Sequence, residues 1–355
     1  MKTIAVLAGD GIGEEVVREG LRVLEAASAV TGFEYKLEHY PYGAEHYLKT
    51  GEMFPDSALR AMKDHDAILL GAIGDPRIET GLLERAIIAG VRFGLDLYVN
   101  LRPIKLYAEH LCPLKGVEPS QIDMMVVREN TEGAYVGVGG LLKKDTPNEV
   151  AVCNMVWTRE GTERVIRYAF DLARARKKQN RVTLVDKANA IRPMDLWTRA
   201  FDQVSGEYSD VDTDHAYIDA ACMWMVKNPD WFDVMVTDNL FGDIITDLGA
   251  MLQGGLGIAA SGNIHPGRVS MFEPIHGSAP KYKGKNSACP VATVNAVQMM
   301  LDFLGDSDGA TLVENSIANA LRSKKIPSLR AGAIATDAAG DVLIEEIKAL
   351  AATAG

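Results

Sequence analysis

The sequence predicts an α/β protein with a mostly parallel sheet. Short apolar runs alternate with amphipathic helical patterns along the 355 residues, as expected when strands and helices follow each other in the chain. The chain opens with a strand pattern, a glycine-rich turn and a helix pattern. Apolar residues make up 47% and charged residues 24%, which is the composition of a globular protein rather than of a disordered chain.

The first strand is predicted at residues 3–8, an apolar run that Gly9-Asp10-Gly11 closes. Residues 14–27 then repeat apolar side chains with the period of a helix. Further strands are predicted at 67–73, 122–128, 182–186 and 232–237, and helices at 160–176, 193–205, 239–252, 290–304, 309–323 and 337–351.

Two segments depart from this alternation. Residues 130–145 are rich in glycine and precede a strand-like run at 150–157, which favours a hairpin or an arm near 130–157 over a crossover helix. Arms of this kind often reach a partner subunit. The glycine-rich stretch 254–267 is expected to hold little regular structure.

Charge and patterning exclude several classes of partner. There are 37 Lys and Arg against 48 Asp and Glu, a net charge of −11 that repels nucleic acid and anionic lipid. No window holds a membrane-spanning apolar run, and the amino terminus lacks the pattern of a signal peptide, so a cytoplasmic protein is expected. The four cysteines are far apart and are expected to be reduced and mostly buried.

The turn at Gly9-Asp10-Gly11 resembles a dinucleotide fingerprint but fails its spacing. That fingerprint needs a third glycine at position 14, where Glu14 stands, and a carboxylate there would repel a pyrophosphate. We therefore expect a tight turn and no Rossmann fingerprint.

Carboxylates at helical spacing form the strongest local signal. Asp243 and Asp247 are four residues apart, so they share one helix face, where two ionised carboxylates repel each other. A divalent cation such as Mg²⁺ or Mn²⁺ would relieve that repulsion, although such a pair is also common on a solvated helix face. Asp219 precedes an apolar helical stretch and is either a helix N-cap or a third oxygen ligand.

Arg92, Arg102 and Arg128 lie in apolar segments. Each alone is explained by a structural ion pair, but together they indicate an anionic substrate with two or more carboxylates. Lys187 follows a predicted strand, where α/β sheets bind ligands, and Tyr135 follows Arg128 by seven residues. A lysine in such a place can exchange a proton with substrate.

Six motifs occur in the order found in one family, the metal-dependent decarboxylating dehydrogenases of 2-hydroxy acids. They are LAGDGIGEEV at 7–16, NLRP at 100–103, VVRENTEGAY at 126–135, VDKAN at 185–189, DNLFGDIITDLGA at 238–250 and FEPIHGSAPKYKGKN at 272–286. The resemblance covers the whole chain. It implies the isopropylmalate-dehydrogenase-like α/β fold with two domains, a cofactor domain from 1–99 plus 252–355 and a substrate, metal and dimerisation domain from 100–251, in a homodimer.

The same resemblance implies roles for the site residues. Arg92, Arg102 and Arg128 match the residues that bind substrate carboxylates. Asp219, Asp243 and Asp247 match the ligands of Mg²⁺ or Mn²⁺, with Asp219 supplied across the dimer and also near the substrate. Lys187 resembles the residue that accepts the hydroxyl proton, and Tyr135 the acid that protonates the enolate after CO₂ leaves.

The implied cofactor is NAD, bound by the 272–289 loop, with NADP as the alternative. The matching positions are Glu273, His276, Gly277, Ser278 and Ala279, followed by Lys281, Tyr282 and Cys289. Many NAD-using relatives carry an acidic residue where Lys281-Tyr282 stands, and that pair resembles NADP-using isocitrate enzymes. A fuller site for the NADP phosphate is not evident near 325–340, which favours NAD.

The expected substrate is a small 2-hydroxy dicarboxylate. The segment before Arg92 is apolar, and Ile88 would pack against an isopropyl group and reject a third carboxylate, which favours isopropylmalate. Ala89 and Gly90 are smaller than usual in that branch, and RENTEGAY resembles the tartrate and D-malate branch, which is the alternative. A Mg²⁺-dependent phosphohydrolase is the alternative from another class, but the first strand lacks the D-x-D that the aspartyl type needs.

Overall fold

The computed structural model describes residues 1–354, which form two compact units. Unit 1 contains Met1–Leu97, Pro103–Ile122 and the chain from Ala250 onward, and unit 2 contains Tyr98–Arg102 and Asp123–Gly249. The expected boundaries differ from these by two residues at 98–99 and at 250–251, and more at residues 103–122, which lie in unit 1 and not with 123–249. Their contacts explain this: Leu106 N–H donates to Ile122 O (2.9 Å) and Lys105 N–H to Gln253 Oε1 (2.8 Å).

The strands among the described residues are, in chain order, β1 (Lys2–Gly9), β2 (Tyr35–His39), β3 (Ala67–Ala72), β4 (Val99–Lys105), β5 (Asp123–Glu129), β6 (Gly139–Leu142), β7 (Val150–Cys153), β8 (Arg181–Asp186), β9 (Asp212–Tyr217), β10 (Val234–Thr237), β11 (Ala260–Ile264) and β12 (Ser270–Pro274). In unit 1 the order is β2-β1-β3-β12-β11, with only the β11–β12 pair antiparallel. In unit 2 the order is β5-β10-β8-β9, all parallel. The prediction of an α/β fold with a mostly parallel sheet is confirmed.

The α-helices in the described part of the chain are α1 (Gly13–Thr31), α2 (Ala44–Thr50), α3 (Asp56–Met62), α4 (Gly90–Gly94), α5 (Arg159–Arg176), α6 (Asp195–Ser205), α7 (Ile218–Lys227), α8 (Asn239–Leu252), α9 (Val291–Leu304), α10 (Ser307–Arg322) and α11 (Thr336–Ala354). A π-helical turn, Glu84–Ala89, leads into α4. None of these helices is both long and apolar enough to cross a lipid bilayer.

Helix ends follow from local sequence. Thr158 is the N-cap of α5 and its Oγ1 accepts the Gly161 N–H (3.0 Å). Asp306 does the same for α10 with the Gly309 N–H (3.1 Å). Each cap satisfies a backbone donor that the first turn leaves without a helical partner.

Each unit has its own apolar core. In unit 1, fully buried residues of β3 such as Ile68 and Leu70 pack with Ile87 of the π-helical turn and Met271 of β12. In unit 2, Trp197 of α6 and Phe170 of α5 are completely buried. Burying a side chain of this size stabilises the folded state by about 1.5–3 kcal/mol, so each unit is stabilised mainly by its own apolar core.

Two expectations about local structure are wrong. Residues 254–267 contain β11, whose backbone pairs with β12 although its sequence, Ala-Ser-Gly-Asn-Ile, has few strand-forming residues. The cysteines are not mostly buried: Cys289 is buried, Cys112 and Cys222 are half-buried, and Cys153 is exposed on β7. The hairpin near 130–157 is present as the antiparallel pair β6 and β7.

Candidate active site

The charged residues of unit 2 lie where its central parallel strands end. Arg128 is the last but one residue of β5, Lys187 follows β8, and α8 begins just after β10. Carboxyl ends of neighbouring parallel strands share one edge of the sheet, which is where α/β proteins bind ligands. Strand direction therefore places these side chains at one edge.

Arg128 is held in a fixed orientation. Its Nε and Nη2 both donate to Asn239 Oδ1 (3.1 and 2.7 Å), and its Nη1 donates to Asp243 Oδ1 (2.5 Å). Gly242 makes room for it, because a Cβ on Gly242 would lie 2.4 Å from Arg128 Cγ. The guanidinium is buried, so pairing with a carboxylate and an amide offsets its loss of hydration.

Arg102 contacts the face of α8 that carries Asp243. Its Nε donates to Asn100 Oδ1 (2.8 Å) and its Nη1 to Thr246 Oγ1 (2.9 Å). Its nitrogens are also 3.7 Å from one carboxylate oxygen each of Asp243 and Asp247. The positive charge thus reduces the repulsion between two aspartates one turn apart on α8.

Tyr135 completes this cluster by donating its hydroxyl to Asp243 Oδ2 (3.0 Å). Burial, with the charge of Asp243, raises the pKa of Tyr135, so the phenol keeps its proton at neutral pH. Burial alone would raise the pKa of Asp243, but the attraction of Arg128 and Arg102 outweighs it and lowers that pKa. The cluster pairs a proton-bearing phenol with an ionised carboxylate.

Lys187 and Asp219 form a second group, with Lys187 Nζ 2.5 Å from Asp219 Oδ1. That hydrogen bond lowers the pKa of Asp219, which is ionised. Asp219 is not an N-cap: Tyr217 has that position at α7, and Asp219 lies in the first turn with a mostly exposed side chain.

Within residues 1–354, no three His, Cys, Asp or Glu side chains converge as metal ligands. Asp243 and Asp247 nevertheless offer hard oxygen donors on one helix face, with side chains 41% and 66% exposed. This donor set fits Mg²⁺ or Mn²⁺, which take carboxylate and water oxygens.

Buried acids lie beside the site. Asp238 Oδ1 accepts the Phe241 N–H (2.9 Å) and so caps α8, while burial raises the pKa of Asp238 to about 6. Burial raises the pKa of Glu129 to about 7, although its carboxylate accepts hydrogen bonds from Thr131. Both acids are completely buried, so they act within the protein and not on solvent.

In unit 1, Arg92 of α4 donates to Glu273 Oε1 of β12 (2.7 Å). Glu273 also accepts from Asn263 Nδ2 (2.8 Å), and Arg92 Nε is buried without a partner among the residues described. Ile88 lies in the π-helical turn just before Arg92, partly buried against the unit 1 core. Single π-helical turns are frequent at functional sites.

Gly9-Asp10-Gly11 forms a tight turn between β1 and α1, as expected. Asp10 is buried and accepts N–H groups of Ala44 (2.7 Å) and Gly74 (2.9 Å). Gly11 has φ +59°, and a Cβ there would lie 1.9 Å from Ser278 O, which in turn accepts the Ile12 N–H (2.9 Å). The turn therefore holds the segment around Ser278 in close contact.

That segment, with Cys289 beyond it, carries the predicted cofactor residues. Burial lowers the pKa of His276, and its Nε2 has no hydrogen-bond partner among residues 1–354. Gly277 is open on its Cβ side, and Ala279 has φ +41°. A buried nitrogen without a partner beside an open backbone is the arrangement that a polar ligand such as NAD would satisfy.

The carboxyl-terminal side of this segment is more apolar. Tyr282 packs against Ile12, Val16 and Ala288, and Lys281 Nζ lies 4.8 Å from the centre of the Tyr282 ring. Cys289 is buried, and burial raises its pKa to about 11, so the thiol stays protonated. This apolar surface suits the flat face of a base.

A model of the isocitrate/isopropylmalate dehydrogenase family matches residues 3–343. The chain belongs to this family. Its members are decarboxylating dehydrogenases, so the predicted family and enzyme class are confirmed.

Named relatives in the family are similar over nearly their full length. A 3-isopropylmalate dehydrogenase of Thermobifida fusca is 47% identical over 347 residues, 97% of each chain. One of Streptomyces coelicolor is 50% identical over 320 residues, 89% of this chain and 90% of that one. Among solved structures, isocitrate dehydrogenase from Methylococcus capsulatus has a TM-score of 0.88 at 33% identity, covering 98% of this chain and all of that one.

Several residues that hold the unit 2 cluster together were not singled out from the sequence. Asn239 orients Arg128, and Thr246 and Asn100 orient Arg102. Asn239 and Thr246 lie four residues before and three residues after Asp243, so all three share a helix face. That spacing could have identified them from the sequence. Asn100 is two residues from Arg102 on one strand, so both side chains share a face.

Proposed function

We propose that this enzyme oxidises and decarboxylates (2R,3S)-3-isopropylmalate to 2-oxoisocaproate and CO₂, reducing NAD⁺, in leucine biosynthesis. The observation that carries the proposal is the convergence of Arg102, Arg128 and Tyr135 on Asp243. The relatives named 3-isopropylmalate dehydrogenase, 47–50% identical, support the choice of substrate within the family.

Arg102 and Arg128 bind substrate carboxylate in this proposal, and Arg92 is a further carboxylate ligand. Arg128 presents a fork already aligned by Asn239, so little side-chain freedom is lost on binding. A substrate carboxylate would also compete with Asp243 for these guanidinium groups. That competition would release Asp243 for other ligands.

Proton transfer is assigned to Lys187 and Tyr135. Lys187 must lose a proton before it can accept that of the substrate hydroxyl, and a change in its pairing with Asp219 (2.5 Å) would help it do so. Tyr135 keeps its proton because its pKa is raised, and it is suited to protonate the enolate carbon after CO₂ leaves.

Asp243 and Asp247 would hold Mg²⁺ or Mn²⁺, with Asp219 as the third ligand from a second copy of the chain in a homodimer. Asp219 also lies near the substrate in this proposal. When bound, NAD⁺ supplies the hydride acceptor and the divalent ion supplies a Lewis acid. NAD⁺ would be held by Glu273, His276, Gly277, Ser278 and Ala279, with Lys281, Tyr282 and Cys289 on the adenosine side.

Ile88 is proposed to contact the isopropyl group. We expect Ile88→Ser to lower the ratio of kcat/KM for isopropylmalate over D-malate. The expected change corresponds to about 1–3 kcal/mol, because losing apolar contact in a substrate pocket has an effect of that size. Steady-state kinetics with both substrates checks this. An equal loss for both substrates would mean that Ile88 does not line the pocket.

D-malate or tartrate is the second candidate substrate. Gly90 and Ala89 are small, and a Cβ on Gly90 would meet no atom closer than 3.8 Å. The segment before Arg92 therefore leaves more space here than larger side chains would. A small hydroxy acid with no branch needs no apolar wall.

The deciding experiment incubates the enzyme with Mn²⁺, each hydroxy acid and either NAD⁺ or NADP⁺, and follows the absorbance of the reduced nicotinamide. Isopropylmalate with NAD⁺ is expected to give the highest kcat/KM. A higher value with D-malate or tartrate would replace the proposed substrate, and no reduction with any pair would refute the assignment.

A further inference from the structure

A cavity of about 660 Å³ lies in unit 1 at the amino ends of the strands, away from the residues discussed so far. Lys2 begins β1, Asp66 precedes β3, and Arg268 and Val269 precede β12. These three strands are adjacent and parallel. Their carboxyl ends lead to Gly9, Gly74 and His276, so the cavity is separated from those turns by the length of β1, about 23 Å.

The volume is in the range of sites that take small organic ligands. The walls are apolar on one side: Leu95, Val269 and Leu304 are buried, and Phe303 lies beside them. A ligand there would bury a hydrocarbon or aromatic body.

On the other side of the cavity, the cationic side chains of Lys and Arg outnumber the carboxylates. Asp66 is occupied, since it accepts from Thr3 N–H (2.8 Å) and pairs with Lys2 (3.0 Å). Lys63 and Arg268 are different: both line the cavity, and the exposed side chain of neither makes a hydrogen bond or an ion pair to a residue that the structure describes. Asp96 also lines the cavity, with its carboxylate 3.5 Å from His265 Nδ1, so an anionic head group would avoid that end.

We propose that this cavity binds a small carboxylate with an apolar body, its carboxylate on Lys63 and Arg268 and its body against Phe303 and Leu95. Inorganic phosphate fits less well because it would leave the apolar wall in contact with water. A neutral apolar ligand fits less well because it would gain no charge-assisted contact with either cation.

The cavity is connected to functional residues through two helices. Gly94, the last residue of α4, lines it, and Arg92 lies two residues earlier on the same helix. Phe303 and Leu304 end α9, the helix that begins at Val291, just after Cys289. A bound carboxylate would therefore touch elements that carry the proposed substrate and cofactor residues.

The test uses the full-length enzyme and the probe 4′-fluorobiphenyl-4-carboxylate, whose binding is followed by ¹⁹F NMR. We compare wild type with the double variant Lys63→Gln/Arg268→Gln. The matched control is Lys36→Gln/Lys348→Gln, which removes the same charge from two exposed sites outside the cavity. All four substitutions are at exposed side chains, and thermal unfolding verifies that the variants are folded.

We expect the dissociation constant to rise about tenfold in the cavity variant and to stay unchanged in the control, because two charge-assisted contacts are lost only in the first. The uncharged 4′-fluorobiphenyl-4-carboxamide should bind wild type more weakly than the carboxylate. Equal affinities in the two double variants would overturn the site. Displacement of the probe by inorganic phosphate as readily as by unlabelled biphenyl-4-carboxylate would overturn the ligand class.

Discussion

Asp243 accepts from both Arg128 and Tyr135 and lies 3.7 Å from Arg102, so one carboxylate organises most of the unit 2 cluster. The ionised state of Asp243 depends on Arg128 and Arg102, because burial by itself would favour the protonated form. Removing either arginine would therefore raise the pKa of Asp243, while the phenol of Tyr135 would keep its proton.

Lys187→Met is predicted to abolish turnover, lowering kcat by about 10²–10⁴-fold, because methionine keeps the side-chain length but cannot exchange a proton. Binding of the hydroxy acid with Mn²⁺, measured by calorimetry, should persist. Lys348→Met is the control, an exposed lysine with no expected effect. Unchanged turnover in Lys187→Met would remove Lys187 from the mechanism.

His215→Asn is predicted to lower stability at acidic pH more than at alkaline pH. The carboxylate of Asp186, whose Oδ2 lies 3.1 Å from His215 Nε2, raises the pKa of His215 above 6.5, although burial opposes this. A raised histidine pKa gives stability that is complete below pH 6.5 and is lost as the pH rises through the native value.

Thermal unfolding of wild type and variant from pH 5.5 to pH 9 measures this dependence. The difference should be about 1 kcal/mol at the acidic end, a modest value because the imidazole is 38% exposed and screened by solvent, and should shrink toward pH 9. His110→Asn, at an exposed histidine, should show no such trend. A difference independent of pH would show that the pair is not an ion pair.

At the scale of elements, α8 combines three tasks in one sequence. Asp238 caps it, Gly242 lets Arg128 pass, and Asp243 and Asp247 lie one turn apart on the face that Arg102 meets. The spacing of the two aspartates is visible in the sequence, but the reason for Gly242 is visible only where β5 and α8 meet.

Gly242→Ala is predicted to weaken binding of the hydroxy acid by about tenfold and to lower kcat/KM, because the new Cβ displaces the stem of Arg128. In an exposed helix the same change would stabilise by about 1 kcal/mol. Calorimetric affinity together with unfolding measurements separates the two effects.

The control is Gly206→Ala at the end of α6, where φ is −59° and the nearest atom to a new Cβ is Gln203 O at 3.3 Å. It should leave the affinity unchanged. A Gly242→Ala enzyme with wild-type affinity would show that Arg128 can bind substrate from a shifted position.

Edge position explains two of the strands that the sequence analysis missed. β2, Tyr-Lys-Leu-Glu-His, and β9, Asp-Thr-Asp-His-Ala-Tyr, end the strand order in their units and are largely polar, so they lack the apolar run that marks a central strand. β11 was missed because glycine and asparagine obscure its buried pattern. The strands β1, β3, β5, β8 and β10 were correctly predicted because they are apolar runs, whereas β4 and β12 were missed although they are not edge strands.

At the scale of the whole molecule, unit 2 exposes several large apolar side chains on the arm and on α7. In the arm, Leu141 and Leu142 on β6 and Val150 and Val152 on β7 are all 45% exposed or more, and Met223 on α7 is 71% exposed. Such surfaces commonly mark protein interfaces. This supports the proposed homodimer.

The dimer makes a prediction about complementation. If the metal site uses Asp243 of one chain and Asp219 of the other, a mixed dimer of Asp219→Asn and Asp243→Asn chains has one intact site. Each variant alone should be inactive. Co-refolding equal amounts should restore about a quarter of wild-type activity, since roughly half of the dimers are mixed and each has one of two sites.

Activity assays of each variant and of the co-refolded mixture check this. Co-refolding each variant with itself is the control for refolding losses. No recovery in the mixture, with recovery of dimers verified by light scattering, would mean that Asp219 and Asp243 do not serve the same site across subunits.

The sequence by itself determined the family, the alternation of strands and helices, and the identity of the charged residues, because periodicity and ordered motifs are local properties. Only the tertiary structure decided which partners those charges have: Arg92 with Glu273, Arg128 with Asn239 and Asp243, and Lys187 with Asp219. It also decided that residues 103–122 belong with unit 1. The physical reason is that ion pairs and close packing join residues far apart in the chain, and spacing along the sequence carries no record of those distances.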